Sequence, residues 1–243
     1  MTLLIFASAL LVVALLALFW YSIAHLSTCK GDLSKVKPPL IVFDFDGTIC
    51  PSFHLFVEQV NVLADEYNLR KIADHEIEDF RNMHPKEAMH KVRISLFKLP
   101  FLLRKARQNV RKQLLELKPV PGIIEVLKQF KSRGYCLGIL TSNSQANVVS
   151  YLQKYKIDFF DFIYTAKNAF GKENHLRAIL HKARIHPKVD RAVYVGDEIR
   201  DMIAAKRAKF ISVGVTWGYN SHHLLEESNP HLICDRPDQL LVL

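Results

Sequence analysis

Four short apolar runs set the rhythm of the chain: residues 40–45 (LIVFDF), 135–140 (YCLGIL), 192–195 (AVYV) and 210–215 (FISVGV). Each is nearly continuous, as expected of a strand buried on both faces. Weaker runs lie at 159–164 and 232–234. Between them the apolar positions follow a helical period, which predicts helices over 123–132, 145–155, 172–183 and 200–208. Strand alternating with helix specifies an α/β fold with a parallel sheet covered on both faces.

Two stretches break this rhythm. Phe53, Phe56, Val57, Val60, Leu63, Ala64 and Tyr67 define an amphipathic helix, and further helical stretches follow, punctuated by Pro85 and Pro100. This helical insert ends at Pro119-Val120-Pro121-Gly122, a strong breaker. The other departure is N-terminal. Leu3 to Ala24 is a 22-residue run without a charged side chain. As a helix it covers about 33 Å, against about 30 Å for a bilayer's hydrocarbon core. Trp20 and Tyr21 near its end suit an interface. A cleaved signal peptide needs basic residues ahead of the run, and none is there. Lys30, Lys35 and Lys37 follow, opposed nearby only by Asp32, so the positive-inside tendency places the bulk of the protein in the cytoplasm. The predicted organisation is a single-pass transmembrane anchor over 1–26, a polar linker over 27–38, a core domain from 39–50 and 119–243, and a helical cap over 51–118.

Composition narrows the chemistry. Hydrophobic residues make up 49% and charged residues 23%, which excludes a disordered chain. The formal net charge of +9 favours anionic partners: phosphorylated substrates, acidic lipid or nucleic acid. The charge concentrates in the insert, where Lys86 to Lys118 holds ten Lys/Arg against two Glu. That surface suits a multiply anionic substrate or an acidic leaflet. No aromatic-basic interleaving accompanies it, so no nucleic-acid partner is expected. Cys29, Cys50, Cys136 and Cys234 form no CxxC pair, and the 11 histidines form no HExxH motif.

Acidic residues gather where strands end. The first strand runs into Asp44-Phe45-Asp46-Gly47-Thr48. Strand alternation directs residues 44 and 46 to one side, beyond the carboxyl end of a central strand, where open α/β sheets bind ligands. Two such charges are tolerable beside a cation, and oxygen ligands suit Mg²⁺. A later strand leads into Gly196-Asp197-Glu198-Ile199-Arg200-Asp201, with Asp197 and Asp201 one helical turn apart. Thr141-Ser142-Asn143-Ser144 precedes a helix and offers hydroxyls, an amide and backbone N–H groups to an anion. Lys172 opens another helix; taken alone it reads as a surface lysine, with a phosphate or the carboxylate cluster as its other expected partner.

With these motifs the sequence resembles the haloacid dehalogenase superfamily over roughly residues 39 to 240. DFDGT at 44–48, LTSNS at 140–144, Lys172 and GDEIRD at 196–201 match its four motifs in order. The insert after the first motif, and TWGYN at 216–220, resemble its phosphoglycolate-phosphatase-like branch. The resemblance implies a Rossmann-like sheet of strand order 3-2-1-4-5 and a phosphatase acting on a small phosphorylated substrate. It implies that Asp44 attacks phosphorus and that Asp46 is the general acid and then base. It further implies that Asp44, Asp46 (through its carbonyl), Asp197 and Asp201 serve a Mg²⁺ cofactor. Ser142 (with Thr141 as the alternative), Asn143 and Lys172 would bind the phosphoryl oxygens. Asp46 argues against carbon–halogen cleavage, which needs no protonated leaving group. The alternatives are a phosphomutase or phosphotransferase of the same superfamily and a catalytically silent membrane-bound interaction module.

Overall fold

The computed structural model describes residues 28–31, 33–35, 39–95, 101–102, 105, 109–166, 171–185 and 191–243. The apolar segment at 3–24, expected to span a membrane, lies outside these residues. Among the described residues no helix is long and apolar enough to cross a bilayer.

The strands are β1 (Thr28–Lys30), β2 (Leu40–Phe43), β3 (Cys136–Thr141), β4 (Phe162–Thr165), β5 (Ala192–Gly196), β6 (Ile211–Val215) and β7 (Leu232–Cys234). They form one sheet of order β1-β4-β3-β2-β5-β6-β7. The five strands from β4 to β6 reproduce the expected 3-2-1-4-5 order, and all their pairings are parallel. β7 continues the sheet in parallel, whereas β1 closes the other edge antiparallel to β4, with Thr28 opposite Thr165. β1 falls in the stretch expected as linker. Its three residues carry no hydrophobic periodicity, and its pairing is a matter of backbone hydrogen bonds that sequence pattern does not report.

The alternation of side chains along β2 decides where the site forms. Ile41 and Phe43 face α5 (Ile123–Ser132) and α6 (Gln145–Lys154), meeting Leu127, Phe130, Val148 and Tyr151 in one apolar core. Leu40 and Val42 face α7 (Lys172–Lys182) and α8 (Ile199–Arg207), meeting Leu176, Ile179 and Ala205 in a second. Each buried Leu, Ile or Phe of these layers contributes about 1.5–3 kcal/mol. Asp44 follows Val42 by two residues, so it belongs to the face that α7 and α8 cover.

The helical insert contains α1 (Phe53–Tyr67), α2 (Ile77–Arg81), α3 (Pro85–Lys91) and α4 (Arg111–Glu116). It has a small apolar cluster of its own in Val57, Val60, Ile72, Phe80 and Val92. α4 returns to the core: Leu114 is buried there, and the Leu115 carbonyl accepts from Tyr155 Oη at 2.9 Å. The outgoing and returning strands of chain lie side by side, with Val120 N donating to Ile49 O at 3.0 Å. The last α-helix, α9 (His222–Glu227), starts with Ser221 Oγ accepting from Leu224 N.

Candidate active site

Four chain segments meet at the carboxyl edge of the sheet. Asp44 follows β2 directly, is 4% exposed, and keeps strand-like pairing through Asp44 N to Val195 O at 2.8 Å. Its Oδ1 accepts from Phe45 N at 2.8 Å, and its Oδ2 from Lys172 Nζ at 2.5 Å. Lys172 is the first residue of α7, and the same ammonium donates to Asp201 Oδ1 at 2.5 Å. Asp201 stands in the first turn of α8, is fully buried, and accepts through Oδ2 from Glu198 N at 3.3 Å. Acids in a first turn are favoured by the helix dipole.

Asp46 is placed differently from the expectation. β2 ends at Phe43, two residues short of the predicted strand, because Phe45 O accepts from both Ile49 N and Cys50 N and bends the chain. Gly47 completes the bend with φ +76, and a Cβ there would collide with the Asp197 carboxylate. Strand alternation therefore does not extend to Asp46. Its carboxylate receives the Asn143 amide at 3.2 and 3.1 Å and Ser52 Oγ at 3.0 Å. Asn143 is locked in that pose, since its Oδ1 accepts from Ser144 N at 2.8 Å and from Asn147 Nδ2 at 3.0 Å. The amide expected to hold a phosphoryl group thus holds Asp46. Ser142 is half-buried in the same loop, Thr141 is buried with its Oγ1 accepting from Asn143 N, and Ser144 caps α6.

Asp197 is fully buried, and both its oxygens are engaged: Oδ1 accepts from Thr48 Oγ1 at 2.9 Å and Oδ2 from Tyr219 N at 2.7 Å. Among the described residues, the acidic groups able to share one cation are Asp44, Glu198 and Asp201, whose ligand atoms lie within 4.8 Å of one another. Glu198 was not anticipated, although it sits inside the GDEIRD motif. Its side chain pairs with Arg200 at 2.6 Å. Ser52, Thr48 and Tyr219 were also missed as site residues. Ser52 precedes α1 and reads as an ordinary helix cap, yet its hydroxyl serves Asp46 instead.

Electrostatics follow from burial. Burial raises the Asp44 carboxyl above the usual range, Lys172 opposes this, and Asp46 adds to it. Burial likewise lifts Asp197 far upward, helped by Asp44, Glu198 and Asp201. Burial also raises Asp201 against the pull of Lys172. For Lys172 burial acts downward, but Asp201 and Asp44 outweigh it and hold the ammonium well above the usual lysine value. Asp44, Asp46, Asp197, Glu198 and Asp201 stand against the two cations Lys172 and Arg200. An all-oxygen, negatively overcharged cluster fits Mg²⁺. Of the basic insert residues, Lys98, Arg104 and Arg107 lie outside the described residues.

This geometry defines an acidic, cation-fitted site at the carboxyl edge of a parallel α/β sheet. Comparison with known proteins agrees: residues 41–215 match the haloacid dehalogenase-like hydrolase family. The chain belongs to that family. It is 30% identical to a phosphoglycolate phosphatase of Synechococcus elongatus, over 83% of this chain and 94% of that one. It is 24% identical to the pyrophosphatase PpaX of Bacillus mycoides, over 85% of this chain and 96% of that one. The fold matches a crystal structure titled a predicted phosphatase from Clostridium acetobutylicum, with a TM-score of 0.70, 23% identity, and coverage of 84% of this chain and 98% of that one. The expected enzyme class, a hydrolase of phosphoric monoesters, agrees with these relatives.

Proposed function

We propose that this protein hydrolyses a small phosphate monoester by way of a phosphoryl group carried on Asp44. The observation that supports this most is the separation of two neighbouring carboxylates into different surroundings. Asp44 is buried against the Lys172 ammonium, while Asp46 is more accessible and held by the neutral donors Asn143 and Ser52. Two acids in unlike surroundings suit two roles. An Asp44 oxygen forms the bond to phosphorus as the ester O–P bond breaks, and Asp46 delivers its proton to the departing oxygen. Asp46 then takes a proton from the water that attacks phosphorus and frees Asp44. Lys172 holds Asp44 in place and neutralises charge beside it; the Ser142 hydroxyl donates to a phosphoryl oxygen. Mg²⁺, held by residues drawn from Asp44, the Asp46 carbonyl, Asp197, Glu198 and Asp201, would supply further charge neutralisation.

The name of the Synechococcus relative makes 2-phosphoglycolate a first substrate to try, and the basic insert favours such a multiply anionic molecule. The insert acts as a cap that closes over the substrate. The run at 3–24 would anchor the chain, with Lys30, Lys35 and Lys37 marking the cytoplasmic side; protease protection in vesicles tests this. For the activity, phosphate release from a panel of phosphomonoesters is measured with Mg²⁺ and with chelator. Release that needs both the metal and Asp44 is expected. Release that survives Asp44→Asn refutes the reading, and transfer to a sugar phosphate without release indicates a mutase.

A further inference from the structure

The loop over 216–220, between β6 and α9, has no regular structure, so its shape depends on side-chain contacts. On its inner side it touches Asp197 directly and reaches Asp46 through Ser52. Tyr219 N donates to Asp197 Oδ2 at 2.7 Å, and a Cβ on Gly218 would overlap the Asp197 carboxylate. Tyr219 Oη lies 3.4 Å from Ser52 Oγ, which donates to Asp46. Trp217 Nε1 donates to Thr48 O at 3.1 Å, and Thr48 Oγ1 donates to Asp197.

On its outer side the loop meets the helical insert, whose Phe53 and Phe56 rings pack on Tyr219 and whose Arg81 grips the backbone. Arg81, the last residue of α2, donates through Nη2 to Thr216 O at 2.6 Å and through Nε to Gly218 O at 3.1 Å. Its own carbonyl accepts from Ser221 N at 3.1 Å, and Glu78 steadies the guanidinium through Nη1 at 3.1 Å. The guanidinium thus spans two carbonyls on either side of Trp217 with a rigid planar fork, a fixed geometry that a flexible lysine ammonium does not reproduce. By contrast Arg70, also in the insert, pairs with Glu76 and stays within the insert.

We propose that Arg81 is a positioning residue: by clamping Thr216 and Gly218 it couples docking of the helical insert to the placement of Asp197 and Asp46. The proposal deepens the phosphatase reading and rests on it for its kinetic consequence. With the insert seated, the loop presents the Tyr219 N–H to Asp197 and Tyr219 Oη to Ser52. With the insert lifted, the loop loses its outer support and the acids lose these partners, so turnover is confined to the closed form.

The test uses the full chain carrying Trp20→Phe, which leaves Trp217 as the one tryptophan. Arg81→Ala, Arg81→Lys and Arg70→Ala are compared at a temperature where circular dichroism shows each fully folded. Acrylamide quenching of Trp217 reads the loop, and hydrolysis of p-nitrophenyl phosphate with Mg²⁺ reads kcat and KM. Loss of hydrogen bonds from a charged donor predicts a fall in kcat of roughly 10- to 100-fold for Arg81→Ala, with KM changed far less. Quenching rises in that variant, Arg81→Lys recovers little, and Arg70→Ala matches its parent in both readouts. Unchanged quenching in Arg81→Ala overturns the proposal, and so does an unchanged kcat in a protein that hydrolyses the ester. If the parent chain releases no phosphate from any monoester, the phosphatase reading fails, and quenching alone decides whether Arg81 holds the loop.

Discussion

Lys172→Met removes the one ammonium shared by Asp44 and Asp201 while keeping most of its apolar stem. The lysine is 5% exposed and the two carboxylates are 4% and 0% exposed. Water therefore cannot replace the lost donor. Breaking such a buried pair by deleting one partner costs about 3–5 kcal/mol, which lowers Tm by roughly 6–20 °C for a chain of this size. The loss should depend on pH in a definite direction. Burial already raises both carboxyls above the ordinary range, and Lys172 is the main group pulling them down, with Arg200 adding to it at Asp201. Without it their folded-state values rise further. A carboxyl with a raised folded value holds its proton more tightly when folded, so the cost is complete above that value and fades as pH falls toward about 4, the unfolded value. Unfolding of mutant and parent by urea at pH 8 and pH 5.5, followed by circular dichroism, measures the difference. A deficit at pH 8 below about 1 kcal/mol, the range of an exposed pair, or one equal at both pH values, would refute the reasoning.

Other consequences are direct. Asn143→Ala removes the amide that holds Asp46, and phosphate release should fall by about 5- to 30-fold; a fall confined to KM contradicts that role. Gly218→Ala drives a methyl group into the Asp197 carboxylate, so the variant should lose about 1–3 kcal/mol of stability together with its turnover, both measurable on one preparation. Mg²⁺ should stabilise the parent chain by about 2.7 kcal/mol at a hundredfold excess over Kd, raising its unfolding midpoint. Asp201→Asn should abolish most of that shift in calorimetry.

Much of the fold was legible because its signals are local. The continuous apolar runs at β2, β3, β5 and β6 specify parallel strands covered on both faces, while the order of the sheet was legible only through the family resemblance. β1 was invisible because an edge strand of three residues needs only backbone groups. At the site, Asp44 and Asp201 were legible because they stand at a strand end and a helix start, whereas Lys172 was singled out only by the family resemblance. The placement of Asp46 was not, since it depends on the bend at Gly47 and on Ser52, a residue indistinguishable in sequence from a helix cap. The role of Arg81 was likewise hidden, because its partners are carbonyls more than a hundred residues away, and carbonyls carry no sequence identity.

The central claim is that Asp44 carries the phosphoryl group. Rapid acid quench of the full chain turning over a ³²P-labelled phosphomonoester with Mg²⁺ should trap label on the protein. That label should be released by hydroxylamine, map to Asp44, and be absent from Asp44→Asn. Phosphate release with no label on the protein at any time point, or label on another residue, would contradict the account.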